Sequence, residues 1–204
     1  MTTVAIQGNE GSFHDQAART FFGDKYEMKT CATFRDVFES VSRGDTEYGV
    51  VAIENSLHGS INPVYRLLAE RKLWVCGEIR LHIQLHLIGT RHNATGDFSK
   101  ITRVLSQAEA ISQCEEWLHD HMPHVVIEES NDTAGSVRTI VEQDNPELAA
   151  IAGEIASPLH GGVLLAGPIN DDPANYTRFF ILQKHPTKNS SANRTSIIMT
   201  EKDP

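Results

Sequence analysis

Short apolar runs alternate along this chain with longer stretches in which apolar residues recur every three or four positions. That alternation predicts repeated strand–helix units rather than an all-α or all-β domain. Residues 4–7 read as a buried strand, followed by a Gly-rich turn and a helix over 14–22. Phe34, Val37, Phe38 and Val41 fall on one helical face, so 33–42 is an amphipathic helix. A strand over 48–53 and a helix over 63–70 follow. Residues 74–88 form a long β-rich run in which His82, Gln84 and His86 alternate with Ile83, Leu85 and Leu87. Beyond it come strand 101–105, helix 107–121, strand 125–128, helix 133–143 and strand 148–152. A short helix and strands at 163–166 and 178–182 complete the set.

The junctions carry more information than the elements. Ser12 opens S-F-H-D, a capping-box-like helix entry, and Ser106 opens S-Q-A-E, a proper one. Asn62 precedes Pro63, the favoured N-cap and first-turn pair. Asp132 or Ser130 starts the helix that contains Thr133. Taken singly, each is a cap worth about 1 kcal/mol. Several such ends meeting at the carboxyl edge of a parallel-type sheet would instead bind a small anion.

Charge and composition narrow the classes. The formal net charge of −9 provides no basic field for nucleic acid or an anionic membrane. Cys31, Cys76 and Cys114 are scattered and odd in number, which points to free thiols rather than a disulfide framework. No basic-then-apolar leader opens the chain, and no stretch reaches the roughly 18 apolar residues of a membrane span. A soluble, cytoplasmic protein is expected. Residues 185–193 read as a polar linker, and 195–199 as a new strand that begins a further domain.

Three segments could carry chemistry. Gly8-Asn9-Glu10-Gly11-Ser12-Phe13 offers backbone N–H groups and a hydroxyl at a helix start, without the Gly-Lys-Ser/Thr ending of a P-loop. Ile53-Glu54-Asn55-Ser56-Leu57-His58-Gly59-Ser60 packs polar groups behind a buried strand, either as a site or as a hydrogen-bonded turn. Asn170 to Phe180 delivers Thr177 and Arg178 at the mouth of an apolar strand. Arg178 presents a fork suited to a carboxylate, with an ordinary salt bridge as the plain alternative. The ten histidines suggest a metal, but no H-E-x-x-H occurs, and His82 and His86 on one strand lie too far apart to share an ion. No metal is expected. A serine hydrolase lacks its G-x-S-x-G elbow.

In order, G-N-E-G-S-F-H, A-I-E-N-S-L-H-G-S-I, V-L-S-x-x-x-A-I-S-Q-C, N-D-T-A-G-S-V and N-Y-T-R-F resemble the prephenate dehydratase family. The resemblance implies an α/β fold of two lobes flanking a cleft, similar to type II periplasmic binding proteins. One lobe would hold about 1–76 plus 163–184 and the other about 77–162, with 194–204 opening a regulatory ACT domain. It implies decarboxylative dehydration of prephenate to phenylpyruvate in phenylalanine biosynthesis, with no redox cofactor or metal. Arogenate dehydration, or anion binding without catalysis, are the alternatives. Thr177 would assist the leaving hydroxyl, Arg178 would pair with a carboxylate or order its loop, and Glu54, if buried, could be the acid. Asn55, Ser56, Ser12, Thr133, Asn175 and Phe179 would contact substrate. L-phenylalanine is the implied effector of the full-length protein, and a homodimer or higher homo-oligomer the implied assembly. Two departures stand out: Ser106-Gln107-Ala108-Glu109-Ala110 where the family has Ser-His-Pro-Gln-Ala, and Ala52 where Pro is common.

Overall fold

The computed structural model describes residues 1–23 and 25–186, so the strand expected at 195–199 and most of the linker lie outside the described residues. The described chain forms two α/β units. The first comprises Met1–Gln7, Ala17–Leu81 and the residues from Thr177 on; the second comprises Gly8–Gln16 and His82–Tyr176.

In the first unit, β1 (Thr2–Gln7) pairs in parallel with β2 (Tyr26–Cys31) and β3 (Tyr48–Asn55). The sheet order is β2-β1-β3-β11-β5, where β5 is Trp74–His82 and β11 is Tyr176–Gln183, and the two-residue β4 (Gly59–Ser60) folds back on β3. Helices α2 (Phe34–Arg43) and α3 (Asn62–Glu70) cover one face, burying Val37, Phe38, Val64 and Leu67 against Val51, Ile53, Phe180 and Leu182. The end of α1 (Phe13–Phe22) covers the other face, where the Phe21 ring lies against Gly77: a Cβ there would meet Phe21 Cε2 at 2.4 Å. Helix α2 is stopped at both ends by local chemistry. Thr33 and Asp36 form a reciprocal capping box, and Gly44 ends the helix at φ 83°.

The second unit holds a mixed sheet of order β10-β6-β9-β7-β8. Its strands are β6 (Leu85–Gly89), β7 (Arg103–Ser106), β8 (Val126–Glu129), β9 (Leu148–Gly153) and β10 (Val163–Ala166). Helix α6 (Thr133–Gln143) packs Ala134, Val137 and Ile140 onto Ile88, Leu105, Leu148 and Ala150. Among the described residues no helix is long and apolar enough to cross a membrane. All three cysteines are free.

Several expectations need correction. The run over 74–88 is two strands in two sheets: it breaks after His82, where Ile83 N–H turns to donate to the Asn175 carbonyl at 2.8 Å. The single helix expected over 107–121 is two, α4 (Ala108–Ser112) and α5 (Glu115–His121). The cause is Asp171, whose carboxylate accepts the N–H groups of Glu116 and Trp117 at 3.0 Å each and starts a new helix there. Ser106 does not cap α4; its Oγ donates to the Ile151 carbonyl at 2.6 Å, and Gln107 stands at the N-cap without a side-chain bond. Asn62 lies inside α3, and Ile61 precedes it as an uncapped entry. Residues 163–166, expected with the first lobe, pair with β6 in the second sheet, so the crossover back falls at Tyr176/Thr177.

Candidate active site

The polar cluster of the first unit grows from the pairing of β3 with β11. These strands run antiparallel, with Thr177 opposite Asn55 and Arg178 opposite Glu54. Between Arg178 and Phe179 the register slips, leaving Ile53 without a partner on β11. Its carbonyl instead accepts Ile61 N–H at 2.9 Å. Such irregularities re-aim side chains at a sheet end.

Asn55 Nδ2 donates to Thr177 Oγ1 at 3.0 Å. The other end of the amide is committed to the turn: Oδ1 accepts the N–H groups of Leu57 at 2.9 Å and His58 at 3.1 Å. Both functional groups are therefore oriented. The hydroxyl of Thr177 receives a hydrogen bond and keeps its own proton to give, and a hydroxyl that accepts is polarised into a better donor. Ser56 follows Asn55 in the turn and is exposed.

Arg178 is already occupied. Its Nη1 lies 2.6 Å from Glu54 Oε2 and its Nη2 lies 3.1 Å from Glu78 Oε2, and the guanidinium carbon sits 5.6 Å from the Phe180 ring centre. Partial burial works to lower its pKa, and the Glu78 and Glu54 carboxylates outweigh it, so the net direction is upward. Glu54 is not the buried acid envisaged from sequence: its side chain is 41% exposed and is bound to a cation. Phe179 is a core side chain at 1% exposure rather than a ligand contact. Glu78 escaped the sequence reading. Its one signal is that it is the lone carboxylate of the run W-V-C-G-E-I-R-L-H.

The second unit holds the other sequence candidates. Ser12 Oγ accepts Asp15 N–H at 3.3 Å, and the Asp15 carboxylate reaches back to Gly11 N–H at 2.9 Å, so the box is displaced by one residue. Asn9 Nδ2 donates to Asp132 Oδ2 at 2.7 Å, and the same oxygen accepts Gly135 N–H at 2.7 Å as the cap of α6. Gly8 is held at φ 93° with its position for a Cβ only 3.1 Å from Asp132 Oδ1, so glycine is required twice over. Thus G-N-E-G-S and N-D-T-A-G-S, far apart in sequence, meet through one carboxylate. Thr133 is the buried first residue of α6. Asn175 is fully buried and spent: Nδ2 donates to Gln113 Oε1 at 2.7 Å, and its carbonyl holds Ile83. It braces the chain rather than facing a ligand.

The histidines keep to local partners. His82 stacks on Tyr176 with ring centres 4.8 Å apart, and its Nε2 lies 2.7 Å from the Pro173 carbonyl. His86 is buried, and burial pushes its pKa down against the opposing pull of Glu154. Both line a cavity of about 480 Å³ within the second unit.

The prephenate dehydratase family profile matches residues 4–187. A bifunctional chorismate mutase/prephenate dehydratase of Neisseria gonorrhoeae is 34% identical over 198 residues, which are 97% of this chain and 54% of that protein. The chain thus spans about half the length of such curated relatives. Prephenate dehydratase from Arthrobacter aurescens, solved in complex with L-Phe, superposes with a TM-score of 0.84 at 25% identity, over 94% of this chain and 63% of that one. A quorum-quenching acylase superposes with a TM-score of 0.78 at 27% identity, over 91% of this chain and 65% of that one. The profile accounts for nearly every described residue, and the chain belongs to the prephenate dehydratase family.

Proposed function

We propose that this protein is a prephenate dehydratase, and that the bond from Asn55 to Thr177 carries its chemistry. In prephenate the ring carboxylate and the hydroxyl across the ring leave together. The C–C electrons of the carboxylate enter the ring as CO2 departs, the C–O bond breaks with its electron pair going to oxygen, and the leaving hydroxide takes one proton from solvent to become water. Aromatisation drives the step, so the protein must hold the substrate and help the oxygen leave. The Thr177 hydroxyl, with a lone pair occupied by Asn55 Nδ2, donates to that oxygen. Threonine is a weak acid, so its contribution is hydrogen-bond stabilisation of the developing charge, worth about 2.7–4 kcal/mol for one such donor. Ser12 and Thr133, at helix starts in the second unit, are proposed contacts for anionic groups, as is exposed Ser56 in the first.

Family membership and the named activity of the gonococcal relative support this reading. The dehydratase solved with L-Phe supports L-phenylalanine as an effector of the full-length protein. A homodimer or higher homo-oligomer, acting in the cytoplasm, completes the proposal. Arogenate carries an amino group in place of the keto group and would react in the same way. Incubation with prephenate, following phenylpyruvate, tests the reading; no product above the slow spontaneous background would refute it. Product from arogenate alone would change the substrate and keep the chemistry.

A further inference from the structure

We infer that Glu78 is a positioning residue for this reaction, acting through Arg178; the inference rests on the dehydratase reading. Strand β11 lies between β3 and β5, and Arg178 reaches to both flanks. Glu54 on β3 takes Nη1 at 2.6 Å and Glu78 on β5 takes Nη2 at 3.1 Å. One carboxylate would leave the guanidinium free to pivot about a single contact. Two, on opposite sides, fix the plane of the fork and fasten three strands at the residue next to Thr177.

Strand β5 is held against α1 at the residue next to Glu78. Gly77, the residue beside Glu78, packs directly under the Phe21 ring, leaving no room there for a side chain. Glu78 is also the most buried member of the trio, with its side chain 22% exposed against 36% for Arg178 and 41% for Glu54. Arg178 Nε is buried without a hydrogen-bond partner among the described residues, a cost that the two ion pairs at the fork ends offset. The register slip follows at once, between Arg178 and Phe179. Arg178 and Thr177 are therefore the two paired residues on the mouth side of the slip, opposite Glu54 and Asn55, and the carboxylates on Arg178 set where its neighbour Thr177 stands.

The test combines kinetics with a readout that does not need turnover. Glu78→Gln should lower kcat about 10–100-fold with KM little changed and unfolding temperature preserved, the pattern of a displaced reacting group. Glu78→Asp, which keeps the charge and shortens the reach, should fall between. In an Arg178→Lys background Glu78→Gln should add less than about twofold, because both act through one side chain. Fully multiplicative losses, or a lowered unfolding temperature with kcat intact, would overturn the role. The Arg178 Nε–H resonance should be sharp in the parent protein and broadened in Glu78→Gln. An unchanged resonance would overturn the inference even if the parent failed to turn over prephenate, a failure that would count separately against the dehydratase reading.

Discussion

The side-chain amide of Asn55 is divided between two tasks: its oxygen receives Leu57 and His58 N–H, and its nitrogen donates to Thr177 Oγ1 at 3.0 Å. The turn thereby dictates which way the amide faces, and the amide dictates which way the Thr177 hydroxyl can give its proton. Thr177→Ala should reduce kcat by about 10²–10⁴-fold, the range for a positioned donor, with an unchanged circular dichroism spectrum. Thr177→Ser should retain most activity, because it keeps the hydroxyl. Normal prephenate turnover by Thr177→Ala would remove Thr177 from the chemistry.

Asn55→Asp separates the turn from the donor. A carboxylate can still accept from Leu57 and His58, but it has no N–H for Thr177, and the threonine proton is drawn towards it. Steady-state assays should show a kcat loss approaching that of Thr177→Ala with little loss of stability. Equal activity of Asn55→Asp and the parent would mean that the direction of this bond is immaterial.

Asp132 bears on stability rather than on rate. One oxygen caps α6 and holds Asn9, so Asp132→Ala should cost about 1–2 kcal/mol in urea unfolding, with Asp132→Asn costing less. The exchange protection of Gly135 N–H should fall in parallel.

Acid should destabilise the protein through two histidines. Burial lowers the pKa of His14 from 6.5 to about 4 and that of His86 in the same direction. Below pH 6.5 the unfolded chain binds protons that the folded chain refuses, so stability falls as the pH drops from 6.5 towards 4. Above 6.5 both states are neutral at these sites and the contribution is constant. Urea midpoints measured across that window should fall with acidification, and more gently in His14→Gln than in the parent.

Much of the fold was legible in local pattern, because a helix such as Phe34–Arg43 carries its own amphipathic face. The bounds expected for helix 133–143 match the observed ones for the same reason, and those for strand 163–166 match because a short apolar run there is bounded by glycines. What the pattern missed was written elsewhere in the chain. The break between α4 and α5 depends on Asp171, and the split at His82 depends on Asn175. Likewise, E-N-S and T-R-F each look reactive alone, but their register is a long-range property of β3 and β11. Arg178 looked available from sequence for a ligand carboxylate; Glu78, on a third strand, takes that place. Asn175 and Phe179 were drawn into the candidate set by their neighbours in N-Y-T-R-F, and burial assigns them to the framework.

The place of β11 between β3 and β5 has a consequence for how the protein is made. Among the described strands of the first sheet the ribosome delivers this interior one last, after the whole of the second unit has emerged. Until then β3 and β5 present raw edges to the cell, the condition most prone to mispairing and aggregation. Thr177 arrives on that closing strand, so a nascent chain stalled before it is unfinished as a sheet and lacks the proposed donor.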